Sequence, residues 1–306
     1  MVLHTIGREY YPQYEFPLKV YRNLHRIPEI PLGKAYQIII VEEGTGIIEV
    51  NKERKIIHAP VVFLINELER ISSEESEQFI IHIIYFHPSV IHAELDFYSV
   101  RERIGKDYSD IKAFDLYLLN PFLLRDRIYA DHYQLPQVMQ RRLLYLKECI
   151  SDECSDQNTC YWPCKGRAYF LEMLCYLSGI NTEISHVIEA VLNTTNDLYE
   201  RILLYVHVNF SEKITLHQLV EVFNVNQTTL NKMFKKITGE SIISYLIKLR
   251  IKISLLLLRD TNLPVREIAY RVGYEDVVHY FRTFKKIMGD TPNQYREGHR
   301  TGIQPY

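Results

Sequence analysis

Between residues 36 and 86 the apolar positions fall in short runs separated by turn residues. Residues 36–41 form a β-branched run closed by Glu42, Glu43, Gly44, Thr45 and Gly46. Residues 47–50 follow, then a polar turn at 51–54. Residues 55–58 end before Ala59 and Pro60, and apolar runs resume at 61–65 and 79–86. Strands of about 8–12 residue spacing with turn signals between them predict a sandwich or barrel rather than a βαβ sheet. Residues 10–31, rich in proline and tyrosine, predict an arm or irregular edge strands. From residue 89 the period lengthens. Residues 89–104 and 110–128 predict short helices. Residues 137–150 and 165–178 predict longer ones, with Phe170, Leu171, Leu174 and Leu177 recurring at three and four. Residues 151–163 predict a polar loop between them, and 193–197 a linker.

Beyond that linker the chain repeats itself. Residues 214–219 match 263–268 at an offset of 49, and Phe234, Lys235, Lys236, Ile237 recur as Phe284, Lys285, Lys286, Ile287 at an offset of 50. Gly239 answers Gly289, and Tyr245 answers Tyr295. Each copy predicts a short helix, a tight turn and a longer helix, at about 216–237 and 265–287. Gly273 supplies a residue free to take positive φ in the second turn. Asp276 and Glu275 stand where carboxylates cap the following helix. A helix–turn–helix of this size is a DNA-reading motif whose second helix enters the major groove.

The second helix of each copy carries chemistry that suits this role. Thr228, Asn231 and Lys232 are i, i+3, i+4 neighbours on one face, and Val278, His279 and Arg282 form the corresponding face of the second copy. Asn pairs with adenine, Arg and Lys with guanine, and Val packs on a thymine methyl. Lys235, Lys236, Lys285 and Lys286 are placed to meet phosphates, which set register and affinity without reading sequence.

The composite of residues 268–274, Phe284, Lys285, Lys286, Gly289, Thr291, Pro292, Tyr295 and Arg296, with Arg250, Leu257 and Leu258, resembles the DNA-binding domain of AraC/XylS-type transcription regulators. The resemblance covers residues 198–297. It implies seven helices, two helix–turn–helix units joined by a long helix, and two successive major grooves read by the faces named above. Two features depart from the family pattern. Val278 and Phe281 replace small polar residues in the second reading helix, and Leu255 and Leu256 stand in the linker helix where charges are frequent.

The same family implies a cupin-like effector domain with a metal-free ligand pocket in the N-terminal body. Enzymatic cupins hold a metal with a His-x-His and a Glu, and residues 35–46 contain no His. His82, His87 and His92, five apart, alternate faces along a strand and cannot converge on one ion. Inward-facing tyrosines such as Tyr36 are candidate pocket residues; beyond that the sequence does not designate the effector site. Cys149, Cys154, Cys160 and Cys164 lack paired CxxC spacing and read as reduced thiols around the 151–163 loop, Cys154 and Cys160 exposed. No nucleophile elbow, P-loop, HExxH or Rossmann glycine pattern is present, so no catalytic residue, metal or cofactor is expected and the chain is read as a non-enzyme.

Length and charge sharpen this picture. The 306 residues suggest two domains. Residues 1–196 hold 20 Lys+Arg against 27 Asp+Glu, whereas 197–306 hold 16 against 11, a basic third on an acidic body. No apolar run approaches the roughly 18 residues of a membrane helix. The N-terminus lacks a secretory h-region, and five cysteines suit a reducing cytoplasm. The expected fold is α+β in two domains. Residues 1–195 form an effector and dimerisation domain, with a barrel over about 20–90 and helices over about 90–180. Residues 196–300 form an all-α DNA-binding domain. The expected function is a cytoplasmic, sequence-specific transcription regulator controlled by a small-molecule effector. Its expected partners are double-stranded DNA and a second copy of itself, through the apolar faces of 137–150 and 165–178. RNA polymerase is a further candidate partner. The alternatives are a regulator controlled by a protein partner and a cupin-type enzyme fused to a DNA-binding module.

Overall fold

The computed structural model describes residues 2–73, 79–102, 111–125, 130–135, 137–191 and 209–299, with 198, 202, 205 and 206. The chain divides into two compact units, residues 1–178 and 179–301. The first is rich in sheet and the second is helical. The linker expected at 193–197 lies outside the described residues.

The first unit contains β1 (Thr5–Ile6), β2 (Glu15–Phe16), β3 (Leu18–Leu24), β4 (Tyr36–Glu43), β5 (Thr45–Val50), β6 (Glu53–His58), β7 (Val61–Ile65), β8 (Ile71–Ser73), β9 (Ile80–Phe86) and β10 (His132–Gln134). A five-stranded sheet, β10-β7-β4-β9-β3, faces a three-stranded sheet, β6-β5-β8, and β1 pairs with β2. All pairings are antiparallel. Among the described residues the ladders remain separate sheets and do not close into the expected barrel. Between the two larger sheets lies one apolar core. It takes Ile39 and Val41 from β4, Phe63 and Ile65 from β7 and Ile83 and Tyr85 from β9, against Ile48 and Val50 of β5.

The outer face of the five-stranded sheet is buried as well. Helices α1 (Phe97–Glu102) and α2 (Ile111–Leu123) come between β9 and β10, and α3 (Gln137–Asp156) and α4 (Trp162–Val191) follow β10. Tyr36 stacks on Phe122 of α2 at 5.6 Å, and Phe86 meets Phe170 of α4 at 4.8 Å. This corrects the expectation that Tyr36 points into the space between the sheets: it lies on the helix-covered face, ringed by Phe86, Phe97 and Phe122. The expected loop at 151–163 is largely helical, because α3 runs on to Asp156 and α4 starts at Trp162. Ile150, Ser151 and Cys154 are all buried, so the inward-facing period of α3 continues through a stretch that is polar in sequence.

The apolar positions that suggested a dimer face are spent inside the protomer. Leu143, Leu146 and Ile150 of α3 and Phe170, Leu171, Leu174 and Leu177 of α4 are at most 1% exposed. What α3 presents outward is Arg141, Tyr145, Asp152 and Ser155. Among the described residues no helix is long and apolar enough to cross a membrane.

The second unit is built from α5 (Leu216–Phe223), α6 (Gln227–Thr238), α7 (Ile242–Asp260), α8 (Val265–Arg271), α9 (Val277–Met288) and α10 (Pro292–His299). The long α7 is its axis, with Ile251, Ile253, Leu256, Leu257 and Leu258 buried. That explains why apolar side chains replace charges here: Leu256 is core, and Leu255 is half-buried beside it.

Candidate nucleic-acid interface

Each repeat forms its turn by the same backbone device. Helix α5 opens with a capping box, Thr215 accepting from the Gln218 N–H and Gln218 reaching back. It ends at Asn224, in the left-handed region at φ 52°. The equivalent residue after α8 is Gly273, at φ 89°. Asn and Gly tolerate this conformation best, and so the two copies meet one requirement with different residues. The next helices are capped alike. Asn226 Oδ1 accepts from the Thr229 N–H at 2.8 Å, and an Asp276 carboxylate oxygen accepts from the Val278 N–H at 2.8 Å. Asp276, not Glu275, is the cap.

Helices α6 and α9 are two-faced. On α6, Leu230 and Phe234 are fully buried, Phe234 packing edge-on to Tyr245 of α7 at 5.5 Å. On α9, Tyr280 and Phe284 are fully buried, and Phe284 meets Tyr295 of α10 at 5.9 Å. The opposite faces are open. Thr228, Lys232 and Lys235 are exposed and Asn231 is half-buried; Val278, His279, Arg282, Lys285 and Lys286 are exposed. The side chain of Lys236 lies outside the described residues. Thr228, Asn231, Lys232 and Lys235 run along one helical row, as do Val278, Arg282 and Lys285. Asn231 Oδ1 has no hydrogen-bond partner. Among the described residues, no ion pair engages the cations of these rows. The acidic partners go instead to pairs such as Lys248–Glu240 and Arg271–Glu267.

Alignment of the helix starts, Gln227 with Val277, makes Thr229 the counterpart of His279 and Phe281 the counterpart of Asn231. Thr229 is exposed beside Thr228 and lies off the i, i+3, i+4 row of Thr228, Asn231 and Lys232. The bulky Phe281 is half-buried against Tyr280, at 6.0 Å between rings.

The other family-motif residues hold these helices in place. Arg250 of α7 donates from Nε to the Phe210 carbonyl and from Nη2 to the Glu212 carbonyl, both at 2.7 Å, and lies over the Tyr274 ring at 5.5 Å. Burial lowers its pKa from the ordinary guanidinium value. Arg296 donates from Nη2 to the Leu263 carbonyl at 2.6 Å, tying α10 to the segment before α8.

The histidines and cysteines of the first unit serve the fold. His82 Nε2 lies 2.6 Å from Glu42, and its Nδ1 is 3.3 Å from the Asn23 N–H. His87 and His92 accept from the Ser89 and Glu94 N–H groups. Among the described residues, no group of three or more metal-binding side chains is present. Of the cysteines, Cys160 is exposed, whereas Cys154, expected at the surface, is buried, and burial pushes its thiol up to about 12.

A family model described as a helix-turn-helix domain matches residues 219–298. The chain is 23% identical over 310 residues to the HTH-type transcriptional activator RhaS of Enterobacter sp. (strain 638), covering 99% of both proteins. The chain belongs to the AraC/XylS-type transcription regulators. It is therefore a DNA-binding regulator of transcription. An uncharacterized HTH-type transcriptional regulator of Escherichia coli (strain K12), YdiP, is 37% identical over 99 residues, 32% of this chain and 33% of that one. Among solved structures, the C-terminal domain of AraT, a response regulator from Geobacillus stearothermophilus, is 37% identical. It covers 35% of this chain and 90% of its own, with a TM-score of 0.35.

Proposed function

We propose that this AraC/XylS-type regulator reads DNA with two helix–turn–helix units, residues 216–237 and 265–287, inside a DNA-binding domain of residues 196–300. Helices α6 and α9 enter successive major grooves on one face of the duplex. Thr228, Asn231 and Lys232 read bases in one half-site, and Val278, His279 and Arg282 in the other. The unpartnered Asn231 Oδ1 suits the amino group of an adenine, and the Arg282 guanidinium suits guanine. Lys235, Lys236, Lys285 and Lys286 meet phosphates. The observation that carries this reading is the duplicated division of faces. Each helix buries an apolar row, Leu230 and Phe234 or Tyr280 and Phe284, and the opposite row carries cations that no carboxylate engages among the described residues.

Residues 1–195 act as the effector and dimerisation domain in this proposal, their facing sheets an open variant of the cupin-like arrangement. The regulator works in the cytoplasm as a homodimer, responds to a small molecule and contacts RNA polymerase at the promoter, without enzymatic activity of its own. Its phosphate contacts are tested by titrating the full chain onto its operator at rising salt. Lys285→Ala lowers affinity for every sequence alike and flattens the log–log salt slope by about one unit. An unchanged slope places that lysine off the DNA.

A further inference from the structure

Laid over one another at an offset of 50 residues, the two reading helices agree on their buried sides and differ on their open ones. Leu230 and Phe234 of α6 answer Tyr280 and Phe284 of α9, all fully buried. Lys232 answers Arg282 and Lys235 answers Lys285, so the cations are common to both rows. Between the cations and the caps the chemistry diverges. Gln227, Thr228 and Asn231 of α6 answer Val277, Val278 and Phe281 of α9. Hydrocarbon stands in α9 at each position that is polar in α6.

The fold of the helical unit does not call for this hydrocarbon. Val278 is 56% exposed, and Phe281, edge-on to Tyr280 at 6.0 Å, is half-buried. Val278 lies in the first turn of α9, where its N–H donates to the Asp276 cap at 2.8 Å. A threonine there keeps that bond and the same β-branched shape, as Thr228 does in α6. Residues 278 and 281 are i, i+3 neighbours, so their side chains adjoin on one face, with Arg282 and Lys285 along the same row. An apolar patch bordered by cations suits a polyanion that carries hydrocarbon on its surface.

Duplex DNA meets that description at one base. In the major groove guanine, cytosine and adenine present hydrogen-bonding groups, and thymine adds its C5 methyl. Hydrocarbon laid on that methyl gains about 0.8 kcal/mol for the group removed from water. The same hydrocarbon laid on guanine O6 and N7, or on the cytosine amino group, leaves them unpaired at a cost of about 1–3 kcal/mol. Such a patch therefore selects thymine by attraction and rejects G·C pairs by desolvation. The Gln227, Thr228 and Asn231 face of α6 pairs with base edges by hydrogen bonds and has no use for a methyl.

We propose that Val278 and Phe281 form a methyl-reading patch that determines specificity for thymine in the α9 half-site, while α6 reads its own half-site by hydrogen bonds; the inference rests on the placement of α6 and α9 in successive major grooves. The test uses duplexes selected from a random pool by the full chain. Arg282→Ala and Lys232→Ala first assign the two half-sites. Each thymine is then replaced singly by deoxyuridine, which removes the methyl and leaves every hydrogen-bonding group. Affinity is expected to fall roughly fourfold for each contacted methyl in the α9 half-site and to stay level throughout the α6 half-site. Val278→Thr and Phe281→Asn, which install the residues of α6, are each expected to bind the thymine and uracil forms of one of those positions equally. Val278→Thr changes an exposed side chain, so its result does not depend on how Phe281 packs. An α9 half-site that prefers no thymine, uracil tolerated everywhere, equal losses in both half-sites, or uracil sensitivity retained in both variants overturns the proposal. If Arg282→Ala and Lys232→Ala still map to separate half-sites, only the methyl reading falls. If they map to one half-site or to none, the two-groove placement falls with it.

Discussion

Gly273 is where the turn between α8 and α9 is most tightly constrained, and it makes a quantitative contrast with Gly239. Both glycines have left-handed φ, 89° and 80°, so an alanine at either position bears the same backbone penalty, roughly 1–2 kcal/mol. Part of that penalty, about 0.4–1 kcal/mol, is offset by the stiffer unfolded chain. The surroundings differ. A Cβ at Gly239 meets nothing within 4 Å, whereas one at Gly273 would lie 2.7 Å from the Phe210 carbonyl oxygen and 2.8 Å from Arg250 Nη2. Relief requires the Arg250 guanidinium to move, and it is engaged with the Phe210 and Glu212 carbonyls. Losing one such charge-assisted bond adds about 1.5–3 kcal/mol. Gly239→Ala is therefore expected to cost about 1 kcal/mol. Gly273→Ala is expected to cost about 2.5–4 kcal/mol. At about 4–8 °C per kcal/mol for a domain of this size, the helical unit's transition falls by about 5 °C in the first variant and by about 10–30 °C in the second. Differential scanning calorimetry of the full chain reads both. Equal losses in the two variants would refute the close approach of the 210–212 segment to the turn.

Two further predictions concern the first unit. Burial lowers the pKa of His82, and of His87, below the ordinary histidine value, so these rings stay neutral while the unfolded chain takes up protons. Their contribution to stability is present above the unfolded pKa of about 6.5 and is lost as pH falls through and below it. The melting temperature of the sheet-rich unit should drop between about pH 7 and pH 5, and His82→Gln should flatten that drop; an unchanged slope contradicts the assignment. Thiol labelling of the native chain should modify Cys160 rapidly and leave Cys154 unmodified until unfolding, because only the former is exposed. Equal labelling rates would count against the buried position of Cys154 in α3.

What could be read from the sequence followed the strength of local patterning. The helix pairs at 216–237 and 265–287 were legible because duplication and an apolar row at three and four occur together, and the caps were legible at Asp276 and Gly273. The face assignment in β4 was not legible. Residues 36–41 are buried on both sides of the sheet, so no polar alternation marks which face is inward, and Tyr36 was assigned to the wrong one. The apolar faces of α3 and α4 were not legible as core for the same reason: Leu146, Phe170 and Leu174 are buried within the protomer, and Phe170 packs on Phe86 at the outer face of the sheet. Helix α3 ran past its expected end because Ser151 and Cys154 carry the buried row through a stretch whose composition reads as loop. In the reading helices the i, i+3, i+4 template found Thr228, Asn231 and Lys232. It overlooked Thr229, which only alignment of the two helix starts brings opposite His279.

Helices α6 and α9 are proposed to read two adjacent stretches of one duplex. The most direct measurement is a base-by-base operator scan with the wild-type chain, Lys232→Ala and Arg282→Ala. Each variant is expected to lose roughly 1–3 kcal/mol of binding and to relax preference at one position. The two positions should fall in different half-sites separated by about one helical turn, roughly 34 Å. Loss of discrimination at the same half-site in both variants, or at none in either, would contradict the two-groove reading.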